Sequence, residues 1–261
     1  MEYKEFAINI AKEAGDIMHK NFQLGMKKEW KADNSPVTET DIAINKLVIN
    51  KVKEYFPDHD VKGEEESDLG NNSEYLWVCD PVDGTIPFSH GFPIFTFSLA
   101  LVKNGRSILG VVYDPIMQNL YWAEKGKGAF LNNKPIHISN HSTINQSCIA
   151  LENFKRAKYS LWGIERELDK QGGQVIKLCS IIYPSSRVAS GEISAAIFPH
   201  TTAHDIAAIK IIVEEAGGKV TDLFGDEQRY DQDINGAIIS NGKIHDLLVK
   251  EVAKALKNEP S

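Results

Sequence analysis

Apolar residues recur at helical spacing in the first segment of the chain. Phe6, Ile10, Ala14 and Ile17 fall on one side of a helical wheel, with Lys4, Glu5, Lys12 and Glu13 largely elsewhere. The stretch from Trp30 to Thr40 is polar and holds Ser35-Pro36, which reads as a loop or hairpin region. A second helix is expected from near Thr40, where Asp41, Asn45 and Lys46 alternate with Ile42, Ile44, Leu47, Val48, Ile49 and Val52. Phe56-Pro57-Asp58 ends it, because the residue before a proline is pushed out of the helical region.

Aromatic and β-branched residues then take over. Tyr75 to Val78 reads as a short strand running directly into Asp80. Phe92 to Val102 and Ser107 to Tyr113 flank Asn104-Gly105 and read as a hairpin, and the Gly- and Lys-rich stretch Ala123 to Phe130 reads as a turn between strands. Further on the elements alternate. Ser147 to Leu151, Gln174 to Leu178, Ser194 to Phe198 and Ala237 to Ser240 read as strands. Lys158 to Gln171, Asp205 to Ala216 and Ile244 to Leu256 read as helices, with Gly217-Gly218 closing the second of these. The pattern predicts an N-terminal α+β half over residues 1–140 and a C-terminal α/β half over 141–261.

Composition narrows the class of function. The chain has 261 residues, 42% hydrophobic and 25% charged, which is ordinary for a folded globular protein. A formal net charge of -7 argues against nucleic acid polymers and anionic membrane surfaces as partners, since both would repel it. Cys79, Cys148 and Cys179 have no metal-binding spacing and are odd in number, so they are expected to be small residues of a reduced interior. Residues 1–15 carry Glu2, Lys4, Glu5, Lys12 and Glu13 and do not form a secretion signal. No apolar run is long enough to span a bilayer, so a soluble cytoplasmic protein is expected.

The candidate chemistry lies in carboxylates. Asp80-Pro81-Val82-Asp83-Gly84-Thr85 places two aspartates three residues apart at the end of a strand. A turn at Pro81 would let both face one point, with the Val82 carbonyl between them, a donor set suited to a hard cation such as Mg2+. A helix beginning at Gly84 would direct its free amides to the same place and favour a phosphate. Taken singly, such residues are ordinary: an Asp-Pro turn, helix N-terminal charges at Asp41 and Asp205, and a solvated acidic run at Glu64-Glu65-Glu66.

Together they have a familiar order. Lys31-Ala32-Asp33-Asn34-Ser35-Pro36-Val37-Thr38-Glu39-Thr40-Asp41, Gly63-Glu64-Glu65, the Asp80 to Thr85 segment with Phe88 and His90-Gly91-Phe92-Pro93, and His204-Asp205-Ile206-Ala207-Ala208 continuing to Glu215-Ala216-Gly217-Gly218 resemble the motifs of the inositol monophosphatase family of metal-dependent phosphatases. The resemblance covers essentially the whole chain. It implies a layered α-β-α-β-α fold with the site between the two halves, and a homodimer. It implies hydrolysis of a small phosphomonoester by water, with two or three Mg2+ per site. Glu64, Asp80 and the Val82 carbonyl would hold one ion, and Asp80, Asp83 and Asp205 a second, while Glu64 also reaches a third, weaker site. Thr85 and Asp41 would orient and deprotonate the attacking water, and the amides of Gly84 and Thr85 would hold phosphate oxygens.

Some positions depart from that pattern. Ile86-Pro87 follows Gly84-Thr85 where the family has polar residues, and the proline removes an amide donor, so the helix there is expected to start later. His204 replaces a tryptophan and is read as an aromatic packing substitute or as a substrate contact. Phe198, Pro199 and His200 supply no carboxylate for inositol hydroxyls. Ser185-Ser186-Arg187 stands near the expected substrate position, with Ser186 a candidate contact and Arg187 either a surface charge in a loop or a partner for a second anionic group. Histidinol phosphate, fructose 1,6-bisphosphate and a 3'-phosphonucleotide therefore stay open as substrates. A phospholigand-binding protein without catalysis is the alternative of another class, disfavoured by the presence of every expected catalytic and ligand group.

Overall fold

A computed structural model describes residues 1–23, 27–30, 36–153 and 157–257. Part of the expected Lys31 to Asp41 loop, residues 31–35, lies outside them. In chain order the elements are α1 (Tyr3–Asn21), β1 (Glu29–Trp30), β2 (Pro36–Val37), α2 (Glu39–Tyr55), β3 (Asp60–Gly63), β4 (Ser67–Asp68), β5 (Tyr75–Asp83) and α3 (Thr85–Ser89). There follow β6 (Thr96–Lys103), β7 (Arg106–Asp114), β8 (Asn119–Glu124), β9 (Ala129–Leu131), β10 (Lys134–Pro135), β11 (Cys148–Leu151) and α4 (Ile164–Lys170). The chain closes with β12 (Gln174–Ile176), α5 (Ile182–Ala189), β13 (Ala195–Phe198), α6 (Ala203–Glu215), β14 (Lys219–Thr221), β15 (Ala237–Ser240) and α7 (His245–Lys257).

Among the described residues, the large sheet runs β10-β9-β8-β7-β6-β5-β3-β4 and the second runs β12-β11-β13-β15-β14. Side chains alternate across each strand, so each sheet buries both faces. Trp77, Cys79, Phe97, Leu99 and Leu101 face α1 and α2 with Phe6, Ile10, Met18, Ile44 and Val48. Leu76, Val78, Ala100 and Val102 face the opposite way, onto Ile206, Ala207 and Ile209 of α6, with Ala150, Ala196 and Phe198 of the second sheet in the same core. The far face of the second sheet packs Ile149, Leu151 and Ile197 on Leu161, Ile164, Leu168, Leu248 and Val252. The layers are thus helix, sheet, helix, sheet, helix. No described helix is long and apolar enough to cross a membrane.

Several sequence expectations need correction. The strand expected over Tyr75 to Val78 continues to Asp83, with a register shift against β6 between Asp80 and Asp83. The chain does not turn away at Pro81; a bulge aims the aspartates instead. β5 pairs parallel with β3, so the first half is not wholly antiparallel. The helix expected over 158–171 is confined to Ile164–Lys170, because Gly163 takes φ 100, outside the helical region. Residues 182–189 form a helix where Arg187 was expected in a loop; Pro184 falls in its first turn, which has no use for a proline amide. α3 starts at Thr85, no later, for the same reason: Pro87 also falls in a first turn. Cys179 is exposed, unlike the buried Cys79.

The hairpin at Asn104-Gly105 forms as expected, with both residues at positive φ (51 and 79), which matches a tight turn to strand twist. The contact of α6 with the large sheet depends on a missing side chain. A Cβ on Gly110 of β7 would lie 2.6 Å from both the Ala208 carbonyl oxygen and Ile211 Cγ2. Gly110→Ala must push α6 off the sheet, and with it Asp205. The expected loss is about 1–3 kcal/mol of stability, read by urea denaturation.

Candidate functional site

Five chain segments meet at one edge of the sandwich. β3 and β5 are parallel neighbours, so the turn after Gly63 and the end of β5 emerge side by side. The first turns of α2, α5 and α6 bring Asp41, the Ser180 to Tyr183 segment and Asp205 to the same place. Asp80 is buried, and its carboxyl is pushed well above the usual range, first by burial and then by Glu64, Asp83, Asp205 and Asp41. Charges act in this way only over short distances in a poorly screened interior.

Asp41 and Asp205 are held alike. Each is the third residue of its helix, and each accepts bonds through Oδ2 from the residue before the helix. Asp41 Oδ2 takes the Thr38 amide at 2.8 Å and the Thr38 hydroxyl. Asp205 Oδ2 takes the Thr202 amide at 2.6 Å and the Thr202 hydroxyl at 3.1 Å. A Thr-x-x-acid spacing supplies this reciprocal cap, and the cap leaves Oδ1 facing the site. Asp41 Oδ1 lies 3.4 Å from Thr85 Oγ1, whose hydroxyl also reaches the Val82 carbonyl at 3.0 Å. Burial, opposed by the Thr38 bonds and aided by Glu64 and Glu65, raises the Asp41 carboxyl to about 7.

Asp80 Oδ1 accepts the Val82 amide at 3.0 Å, which stabilises the bulge. Asp83 is gripped more fully. Its oxygens accept Thr96 Oγ1 at 3.1 Å, the Ile181 amide at 2.8 Å, the Tyr183 amide at 3.0 Å and the Ser180 hydroxyl. Burial still raises its carboxyl above the ordinary value despite these donors. Asp205 is raised by burial too, with His204 opposing; His204 Nε2 stands 3.9 Å from Asp205 Oδ1. Gly84 takes φ 83 at the head of α3, and a Cβ there would lie 2.5 Å from the Ile94 carbonyl, so the chain can round this corner only with glycine. The amides of the first turn of α3 have no acceptor within the helix.

Among the described residues, no Lys or Arg side chain pairs with Asp41, Asp80, Asp83 or Asp205. Nor, among them, do three His, Cys, Asp or Glu side chains already close into an ion-holding cluster. Oxygen donors, burial and charge with no Lys or Arg partner among the described residues suit a hard divalent cation.

The remaining candidates lie differently. Ser186 is buried, and its hydroxyl bonds the Tyr183 carbonyl at 2.8 Å inside α5. Arg187 is not a surface charge in a loop: its side chain is 16% exposed, on α5, paired to Asp114 at 3.0 Å and to the Tyr121 hydroxyl, and stacked over Tyr183. Phe198 is wholly buried in the core between the sheets. Sequence reading missed the supporting residues. Asn45, buried on α2, donates to the Glu66 carbonyl at 2.9 Å and accepts the Glu65 amide at 3.3 Å, and so holds the turn that carries Glu64. Its signal was a polar residue one turn after Asp41, on the same helix face as Val48 and Val52. Thr96 and Ser180 had no local signal, because their partner Asp83 is distant in sequence.

The sequence and the fold are shared with known proteins. The model of the inositol monophosphatase family matches residues 1–257. The chain is 32% identical over 258 residues to a fructose-1,6-bisphosphatase/inositol-1-monophosphatase of Thermotoga maritima, covering 98% of each chain. It is 35% identical over 243 residues to inositol monophosphatase 1 of Solanum lycopersicum, covering 87% of this chain and 86% of that one. A solved inositol monophosphatase structure from Thermotoga maritima superposes with a TM-score of 0.90 at 31% identity over 98% of this chain and 99% of that chain. Another, from Anabaena (Nostoc), gives 0.85 at 26% identity over 97% and 95%. The chain belongs to the inositol monophosphatase family, and it is a phosphoric monoester hydrolase of a metal-dependent kind.

Proposed function

We propose that this chain hydrolyses a small soluble phosphomonoester with Mg2+, two or three ions per site, held by Glu64, Asp80, the Val82 carbonyl, Asp83 and Asp205. The observation that carries the reading is the set of buried carboxylates Asp41, Asp80, Asp83 and Asp205, which among the described residues pair with no Lys or Arg, set beside the Asp41–Thr85 pair and the first turn of α3. Bound Mg2+ lowers the pKa of water and offsets charge on the phosphoryl oxygens and the leaving alkoxide. The rest falls to the chain. The amides of Gly84 and Thr85 orient the phosphoryl group. Thr85 Oγ1, tied to the Val82 carbonyl, positions the attacking water and relays its proton to Asp41 Oδ1. Asp41, raised to about 7, is a base matched to neutral pH. His204, beside Asp205, remains the substrate-side candidate, while Ser186 and Arg187 are engaged inside the protein. The proposal extends to two halves, 1–140 and 141–261, sharing the site, and to a cytoplasmic homodimer on the family pattern.

A sugar bisphosphate is the second reading for the substrate. Phe198, Pro199 and His200, the positions nearest to where a carboxylate would grip inositol hydroxyls, supply none, and relatives from Thermotoga maritima and Aquifex aeolicus carry fructose-1,6-bisphosphatase in their names. Turnover of inositol 1-phosphate, fructose 1,6-bisphosphate, histidinol phosphate and adenosine 3',5'-bisphosphate under identical conditions ranks the substrates.

Phosphate release should require Mg2+ and stop with a chelator. Asp83→Asn should lower kcat/KM by at least about a hundredfold, and phosphate binding without metal-dependent turnover would overturn the proposal. A second expectation concerns stability. A carboxyl whose folded pKa is raised stabilises the fold fully below its unfolded value, and that contribution is lost as pH rises through the folded value. For Asp41 the window runs from 3.8 to about 7. Metal-free protein should therefore lose stability between pH 5 and pH 7, and Asp41→Asn should make that fall shallower by about 2 kcal/mol. Mg2+ should raise the melting temperature at pH 7.5 and hardly at pH 5, because binding needs ionised carboxylates. Differential scanning fluorimetry across pH reads both effects.

A further inference from the structure

Glu152 stands just past the end of β11, 7% exposed, on a residue to which sequence reading gave no role. Its amide bonds the Ile197 carbonyl at 3.4 Å, so it continues the parallel pairing of β11 with β13. Strand alternation puts it on the face of Ala150, the side turned toward the large sheet. Its Oε1 accepts two consecutive amides, Leu178 at 2.6 Å and Cys179 at 2.7 Å. One side-chain oxygen that accepts two consecutive amides is an anchor for a turn.

That turn continues into the donors that hold Asp83. Ser180 gives its hydroxyl, and Ile181 and Tyr183 give their amides. The Leu178 to Tyr183 segment is therefore clamped by two carboxylates, one from the end of each large sheet. Between the two clamps, Cys179 takes φ 53, a conformation a non-glycine residue holds when its surroundings impose it. The turn also lies against the head of α3: the Cβ position of Gly84 is 3.4 Å from Ser180 Cβ.

We propose that Glu152 is a positioning residue for the metal and phosphate site. Its Oε1 fixes the Leu178–Cys179 turn in the one conformation that delivers Ser180, Ile181 and Tyr183 to Asp83, and so orients Asp83 toward a divalent cation. The role is one of acceptor geometry rather than charge. The inference rests on the proposed metal role of Asp83 for its second half only; the ordering of the turn stands without it.

The test uses the full chain and two readouts. One is the rate at which the exposed Cys179 thiol reacts with a maleimide, located by mass spectrometry. The other is Mg2+ affinity by calorimetry with Mg2+ alone. Glu152→Ala should raise the Cys179 rate by about tenfold or more and weaken Mg2+ binding by about 10–100-fold. Glu152→Gln keeps the Oε1 acceptor at the same reach and should stay close to wild type in Mg2+ affinity and in labelling compared at equal thiolate fraction, since burial and, after it, the Glu152 charge raise the Cys179 thiol. Glu152→Asp keeps the charge and shortens the reach, and should behave like Glu152→Ala. Should Glu152→Ala not fold, the Gln and Asp pair decides alone. The proposal is overturned if Asp matches wild type while Gln fails, since charge would then be the operative property. It is also overturned if all variants label and bind Mg2+ like wild type. If the wild type itself binds no Mg2+, the proposed function falls, while the labelling rates still decide the ordering of the turn.

Discussion

Like charges buried together repel one another, and this fold buries Asp41, Asp80, Asp83 and Asp205 around one point. Such an arrangement persists only if the rest of the structure holds it in place. Each of these carboxylates has at least one oxygen tied to backbone or hydroxyl donors, which favours the ionised form locally while burial opposes it. The result is a set of carboxylates with raised pKa values, fixed in position and, among the described residues, paired with no Lys or Arg. In that state a divalent cation contributes to folding and to chemistry together.

The means of support are few. Two helices use the same cap, threonine before the helix and aspartate at its third position, so that one oxygen secures the helix and the other faces the site. A bulge in β5 lets Asp80 and Asp83 both emerge from one buried strand. A glycine at Gly84 and another at Gly110 allow backbone approaches that any side chain would block. Asn45 of α2 and Glu152 at the end of β11 then fix the two turns beside Glu64 and Asp83.

Arg187 illustrates the difference between residue type and residue role. An arginine near a phosphate site invites a substrate contact, yet this guanidinium is bonded to Asp114 and Tyr121 within the layer between the sheets. Asp114 is itself buried and raised by burial, so the pair compensates a charge that the hairpin β7–β8 would otherwise leave alone.

The sequence by itself determined the family, the helical face of α1, the presence of α2, the Asn104-Gly105 hairpin and the candidate aspartates, because these are signals of local period, turn chemistry and motif order; it did not show that α2 buries Asp41 and Asn45 and exposes Ile42. It also contained the Thr-x-x-Asp caps, though their second use, aiming an oxygen at the site, was not legible there. The length of β5, the helix over Ile182–Ala189 and the short α4 were decided by packing: sheet pairing carried β5 past Pro81, and the first-turn position made Pro184 harmless. Only the tertiary structure joined Asp83 to Thr96, Ser180 and Tyr183, and Glu152 to Leu178 and Cys179. Those bonds link residues far apart in the chain, and no local pattern encodes which distant donor a buried carboxylate will find.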